Sequence, residues 1–488
     1  MHRRWLTPVR WVWHGDGMAL RITRRALGAV VPPVLPAGGA EEQAGLVGEI
    51  EAFVRRVATE LVPDPDVRTR GRPRIVPAVC LWAGLLVCVL HGGTAYAELW
   101  RLLSLHGLWD YPRFGITDQA IYKRLAQDDG STLRRLFTTL SGVLAQRLAP
   151  LLPLLAASAG TGAGVVGANL VPWATMVVAL DETTLDQVAR LLPALRDVPV
   201  GDVRLLPGKL AALFDLRTQQ FVRVDHRPEV HQNEKVVARD LVAALPPGSL
   251  VLADLGYFAF EWFDDLTAGG HFWISRVRAK TSTVVRHVFY AAGDGSVWDG
   301  LVWLGAYRAD RAAHPVRLVR FTVGGTTWTY ITNVLDPHRL SVAQIAHLYA
   351  RRWDIELAFK LSKRELGLHL IWSPTPALVV QQVYAVLCIA QIVQALRLEL
   401  AARAGIDPFD VSLPLFLRHL PKLAAAGHAD PIGVLVERGA AAGILRPSRR
   451  TQLDVPPVDL TAFVPAPPHL LRPRTPRYAH RKCTARWN

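Results

Sequence analysis

At 488 residues, 50% of them hydrophobic, the chain can bury more than one core, which excludes the disordered class for most of its length. Lysine and arginine total 56 against 41 acidic residues, a formal charge of +15 that points to nucleic acid or an anionic membrane surface as partner. The four cysteines, Cys80, Cys88, Cys388 and Cys483, form no zinc-type pair and no disulfide framework, so any metal must be held by carboxylates.

Residues 1–40 end in a Pro/Gly-rich run, Val31 to Ala40, and read as a loosely ordered extension. Arg3 and Arg4 precede no apolar h-region, so no signal peptide is expected. From Glu41 to about Leu151 apolar residues recur at three- and four-residue spacing, which predicts a helical domain over 41–151, with candidate DNA-binding segments inside it. Inside it, Ile75 to Leu90 is uncharged but contains Pro77 and falls short of the ~20 residues a spanning helix needs. Arg70–Gly71–Arg72–Pro73–Arg74 reads either as a hook for a narrow minor groove or as a basic linker. Thr117 is the expected N-cap of a helix running to Gln127 that exposes Gln119, Lys123 and Arg124. That helix is either part of a helix-turn-helix-like unit or an ordinary surface helix. Residues 152–170, rich in Ala and Gly, read as a linker.

After Val171 the pattern turns to strands: Trp173 to Leu180 ending at Asp181, a hairpin of Lys209–Leu216 and Phe221–Val224, and Ser249–Ala253 ending at Asp254. Helices over Gln232–Leu245 and Phe258–Thr267 and a strand over His271–Val277 complete a mixed sheet with helices on its faces. Residues 280–335 alternate in short runs with turns such as Gly293–Asp294–Gly295, which predicts an all-β insertion. Long helices follow over Ser341–Leu366 and Val379–Ala404, with Gly405 placed to end the second. Residues 401–488 are a helical and Pro-rich segment whose tail, Arg472, Arg474, Arg477, Arg481, Lys482 and Arg486, grips phosphate or stays unordered.

The Ser341–Leu366 helix carries the most information. At ~100° per residue, Tyr349, Arg352, Glu356 and Lys363 fall within roughly 60° of one another, a single stripe of one hydroxyl, two cations and one carboxylate. A solvated face explains any one of these alone. Phosphoryl transfer explains the mixture: Glu356 as metal ligand, Arg352 forked onto a phosphate, Tyr349 donating its hydroxyl and Lys363 holding the backbone further along. Asp181 and Asp254, at strand ends, are either helix N-caps or two further ligands. With Glu356 they make a three-carboxylate set suited to two Mg²⁺ or Mn²⁺ ions.

The spacing Tyr349-x₂-Arg352-x₃-Glu356-x₆-Lys363 resembles the signature of insertion-sequence transposases of the DDE class, in the group named for that Y-R-E-K motif. Asp181-x-Thr-Thr and Asp254-x-Gly-Tyr look like the two catalytic aspartates of that group. The resemblance covers about residues 170–400. It implies a ribonuclease-H-like catalytic domain over 171–400, within the α/β class, with a β-rich insertion at 280–335. It also implies metal-dependent cleavage and strand transfer of double-stranded DNA, at terminal inverted repeats and target, by a homodimer in the bacterial cytoplasm, associated with the nucleoid. Trp328 is similar in placement to a tryptophan that stacks a flipped base in such relatives, although a core role would also suit it. Three alternatives stand beside this expectation: a nuclease that hydrolyses without joining, an inactive DNA-binding derivative, and a membrane protein suggested by a mean hydropathy of +0.19.

Overall fold

The computed structural model describes residues 12–14, 17–19, 54–55, 58–59, 75–153, 171–185, 208–228, 234–305, 310–448 and 453–478. Most of the expected 1–40 extension, Arg70–Arg74, residues 154–170 of the linker, and Arg481, Lys482 and Arg486 lie outside the described residues. Residues 1–43 form one unit, where β1 (Val12–His14) and β2 (Gly17–Ala19) pair as an antiparallel hairpin. The remainder, Ala44–Asn488, is a second unit.

The second unit begins with α1 (Ala78–Leu90), α2 (Ala97–Arg101), α3 (Asp118–Leu125) and α4 (Ser131–Leu148). Because α1 is apolar all round, it can only be a core helix, and it is buried along nearly its whole length. Thr117 caps α3 by accepting from the Ala120 amide, as its sequence demands. Gln119 and Lys123 are exposed on α3, but Arg124 is half-buried and donates to the Val76 carbonyl, so it holds the fold and is not a free groove-reading side chain.

Nine strands form one mixed sheet in the order β5-β4-β3-β6-β7-β11-β10-β9-β8. They are β3 (Val177–Thr184), β4 (Lys209–Asp215), β5 (Gln220–Arg227), β6 (Leu250–Ala253), β7 (Phe272–Arg276), β8 (Thr283–Ala291), β9 (Val297–Leu304), β10 (Val316–Val323) and β11 (Thr326–Thr332). β3, β6 and β7 are mutually parallel, and every other pairing is antiparallel. The inserted strands are continuous with the main sheet, because β11 pairs with β7 through Tyr330↔Arg276, Ile331↔Ser275 and Thr332↔Ile274. Between β9 and β10 a fully buried bidentate pair, Arg317 Nε and Nη2 to Asp299 at 2.8 and 2.6 Å, ties the insertion together.

One correction concerns the first strand. The sequence suggested a strand from Trp173 that stops at Asp181; β3 instead starts at Val177 and runs through Asp181 to Thr184. The reason is its neighbour on one side: β4 pairs along the strand out to Thr184↔Lys209, whereas β6 stops pairing at Leu180↔Ala253.

Alternation along the strands gives the sheet two apolar faces. On one face α5 (Glu234–Val242) and α6 (Phe260–Ala268) cover Val178, Leu180, Val251 and Trp273. On the other lie α7 (Val342–Arg351), α8 (Trp353–Lys360) and α9 (Pro376–Ala404), over Val177, Ala179, Leu252 and Phe214. The expected single helix over Ser341–Leu366 is helical throughout but is interrupted at Arg352 and widens into a π segment at Leu361–Glu365. Ser341 starts it with a reciprocal capping box to Gln344.

α9 is long and apolar enough to cross a membrane, yet 83% of its most apolar window is buried within the protein. Its buried glutamines are engaged with neighbours: Gln381 donates to Leu125 O at 2.7 Å, and Gln391 to Ser141 Oγ at 2.9 Å and Phe221 O at 3.0 Å. These bonds fasten the N-terminal helices and the sheet to the same central helix, which Gly405 ends at φ 65°.

Two more helices, α10 (Leu413–Ala425) and α11 (Pro431–Arg438), precede a C-terminal strap over 453–478. The strap follows the inserted strands: the Val464 amide donates to Phe289 O at 2.9 Å, and Tyr478 donates to Asp264 at 2.8 Å. Arg474 lies 4.2 Å from the Trp303 ring centroid and donates to Ala312 O and Leu304 O. The basic tail therefore uses Arg474 internally, leaving Arg472 and Arg477 exposed.

Candidate active site

The parallel register of β3 and β6 brings the two aspartates together. Leu180 pairs with Ala253, so Asp181 and Asp254 are the next residues on adjacent strands, on backbones ~5 Å apart. Period-two alternation sends Asp181 to the side of Val177 and Ala179, the side on which α8 packs. Asp254 stands at the N-terminus of a 3₁₀ turn, Leu255–Tyr257, but makes no side-chain capping bond. The N-cap explanation for that carboxylate thus fails. Asp181 accepts from the Glu182 amide at 2.8 Å through one oxygen.

Arg352 faces these acids from the break between α7 and α8. Its guanidinium lies 3.6 Å from Asp181 Oδ2 and donates to Glu356 Oε1 at 2.8 Å. Burial acts to lower the Arg352 pKa, but the charges of Asp254, Tyr349 and Asp181 hold it above the usual value. Burial raises Asp181 to about 6, against the lowering effect of the Glu182 amide and Arg352, with Glu356 and Asp254 adding to the rise. Three acids from distant segments therefore converge on a single cation.

Among the described residues no three His, Cys, Asp or Glu side chains are gathered closely enough to form a metal-binding group. The reason lies in the arrangement itself: Asp181 and Glu356 are turned toward Arg352. Asp254 and Glu356 at the edge of one cleft, with Asp181 held to Arg352 beside them, are nevertheless the donor chemistry that a hard divalent cation takes. The Nε and Nη1 atoms of Arg352 are buried without hydrogen-bond partners, so its present position does not satisfy it.

The other stripe residues make contacts within the protein. Tyr349, buried, donates its hydroxyl to Ala253 O at 3.3 Å, pinning the residue before Asp254. Burial pushes its phenol well above the usual range. Lys363 Nζ donates to the Thr184 carbonyl at the end of β3. In this arrangement the Tyr349 hydroxyl proton is taken by Ala253 O and one of the three Lys363 donors by Thr184 O; both side chains hold the strand ends that carry the aspartates.

A cleft of about 700 Å³ opens over Asp254, Arg352 and Glu356, with Arg276, Trp328, Tyr330 and Tyr349 on its walls and Leu453 and Val455 from the strap at its rim. Trp328 is half-buried and its ring is nearly parallel to that of Tyr330, at 1° and a centroid distance of 6.4 Å, with Arg276 5.6 Å from its ring centroid. Sequence reasoning missed Arg276, because nothing marks one arginine at a strand end until β7 is known to lie beside β11. It also missed the buried ion pair of Glu182 and Lys209, 2.6 Å apart beside Asp181. The cross-strand neighbours Glu182↔Ala211 and Thr184↔Lys209 would have suggested that pair only with the register in hand.

Residues 205–392 match the family described as Transposase DDE domain. The matched segment contains Asp254, Arg352 and Glu356; Asp181 precedes it. A putative transposase of Sinorhizobium fredii is 31% identical over 36% of this chain and 48% of its own length. The transposase for insertion sequence element IS231F of Bacillus thuringiensis subsp. israelensis is 27% identical over 22% of this chain and 23% of its own length. The chain thus spans about half the length of the first relative and about a quarter of the second. Among solved structures, a piggyBac transposase synaptic complex with hairpin DNA aligns over 82% of this chain and 83% of its own, at 10% identity and a TM-score of 0.35, a likeness too slight to establish a shared fold.

Proposed function

We propose that the chain is an insertion-sequence transposase of the DDE type, in the Y-R-E-K group, that cleaves double-stranded DNA at element ends and joins them to a target. The observation that carries the reading is the convergence of Asp181, Asp254 and Glu356 on Arg352, from three segments far apart in sequence. The match of residues 205–392 to the Transposase DDE domain supports it. The strand order β5-β4-β3-β6-β7, with parallel β3, β6 and β7 and an antiparallel β3-β4-β5 meander, supports a ribonuclease-H-like catalytic domain over 171–400. The 41–151 segment is proposed as a DNA-binding part and the DNA-bound form as a homodimer.

Asp181, Asp254 and Glu356 would hold Mg²⁺ or Mn²⁺, two ions per site, which supply Lewis acidity for an in-line displacement at phosphorus. Holding the ions would need Asp181 and Glu356 free of Arg352. Freed from them, its guanidinium can fork onto a non-bridging phosphate oxygen at the mouth of the cleft. Trp328 offers a half-buried ring for a base turned out of the duplex. Tyr349 and Lys363 hold the strand ends, so their contribution is the position of the two aspartates.

The deciding experiment supplies a pre-cleaved element end and circular target DNA with Mg²⁺. Joined product is expected, and a chelator should abolish it. Cleavage of an intact end with no joining at any metal concentration would replace this reading with that of a hydrolytic nuclease.

A further inference from the structure

Past the catalytic cleft along the same helical path lies a second cleft, of about 420 Å³, lined by Leu357, Lys360, Leu361 and Glu365 on one wall. Arg397 of α9, Phe409, and Ser412, Arg446 and Ser448 make the other. It holds three cations, Lys360, Arg397 and Arg446, against one carboxylate, Glu365. Lys360 and Arg446 are exposed and form no ion pair among the described residues.

Arg397 is the unusual member. Only 4% exposed, it donates through Nη2 to Pro408 O and through Nη1 to Gln394 at 3.3 Å, while its Nε is buried without a hydrogen-bond partner. Its charge is also under-compensated: burial lowers its pKa to about 10 despite Asp354 and Asp407 nearby. A buried guanidinium in the wall of a cleft whose rim carries two exposed cations makes that cleft electropositive and suited to an anionic oxygen.

Position selects the anion. At ~1.5 Å per residue, Lys360 lies ~6 Å and Glu365 ~14 Å beyond Glu356 along the helix axis. A nucleic-acid strand carries a phosphate every ~3.4 Å of duplex axis, so a strand leaving the catalytic cleft in this direction passes the second cleft within a few phosphates. We infer that the cleft between α8 and the Phe409–Ser448 wall is a second phosphodiester subsite, in which Lys360, Arg397 and Arg446 grip the DNA backbone a few nucleotides from the reacting phosphate. The inference rests on the transposase reading for the presence of DNA in the first cleft.

The test uses the full chain and a mixed-sequence duplex, with binding measured across a salt series. The double variant Lys360→Glu/Arg446→Glu, both positions at the surface, should bind at least ~10-fold more weakly at low salt, with a plot of log K against log salt shallower by about 1–2 units. Glu365→Gln should bind as tightly as wild type or more tightly, a direction that structural damage would not produce. Inorganic phosphate at fixed ionic strength should narrow the difference between wild type and double variant only at high concentration; phosphate binding lost in the double variant while the two proteins bind DNA equally would assign the cleft to a free anion and overturn the proposal. Equal affinity and equal salt slope in wild type and double variant would overturn it as well. Failure of the wild type to bind or cleave any DNA is a separate outcome that overturns the transposase reading, and the subsite with it.

Discussion

Arg352 and its neighbours define the site at the scale of single residues. Its guanidinium bridges Asp181 and Glu356, so Arg352→Ala removes the cation that now compensates two half-buried carboxylates. Loss of DNA cleavage is expected, with end binding weakened but the chain still folded, as judged by circular dichroism and gel shift. Tyr349→Phe deletes only the bond to Ala253 O. It should cost about 0.5–1.5 kcal/mol in urea unfolding and lower cleavage by about tenfold or more, because Asp254 then loses a positional constraint. Unchanged cleavage in Tyr349→Phe would remove that residue from the positioning role. Gln219 belongs to the same scale. It closes the β4–β5 turn at φ 56° and donates to Asp354 at 2.6 Å, between Arg352 and Glu356 in sequence. Gln219→Ala leaves a buried carboxylate short of a donor and should destabilise the protein by about 1–3 kcal/mol, read as a fall in the urea midpoint.

Which of these roles could be read from sequence differs residue by residue. The stripe spacing located Glu356 and Arg352 on one helix face, because helical periodicity is a local property. It did not reveal that Tyr349 and Lys363 face backbone carbonyls, since Ala253 and Thr184 lie 96 and 179 residues away in the chain. The N-cap alternative for Asp254 could be discarded only with its hydrogen bonds in view.

At the scale of elements, strands and helices follow from pattern, and their ends follow from partners. The hairpin, the strand before Asp254 and the β-rich character of residues 280–335 were legible as alternating or apolar runs between turn residues. The end of β3 was not, because β4 extends it beyond the point where its own sequence turns polar. Nor could sequence say that the insertion continues the sheet; that depends on β11 finding the free edge of β7. The buried Arg317–Asp299 pair makes the insertion a testable unit. Asp299→Ala strands a fully buried guanidinium and should cost about 3–5 kcal/mol. A loss below ~1 kcal/mol would mean that the pair contributes little to holding β9 and β10.

Over the whole molecule, one arrangement joins the parts. α9 carries buried glutamines to the N-terminal helices and to β5, while α7 and α8 lie over the ends of β3 and β6. The sheet thereby sets two aspartates side by side and the helix layer brings the glutamate to them, a meeting no local sequence window could contain. The measurement that bears most directly on it is Mg²⁺-dependent cleavage of a duplex bearing the element end, with Asp181→Asn, Asp254→Asn and Glu356→Gln compared with wild type. Each variant should bind the duplex as wild type does and yield no cleaved product. Cleavage at the wild-type rate by any one of the three would show that its carboxylate is no part of the reacting centre.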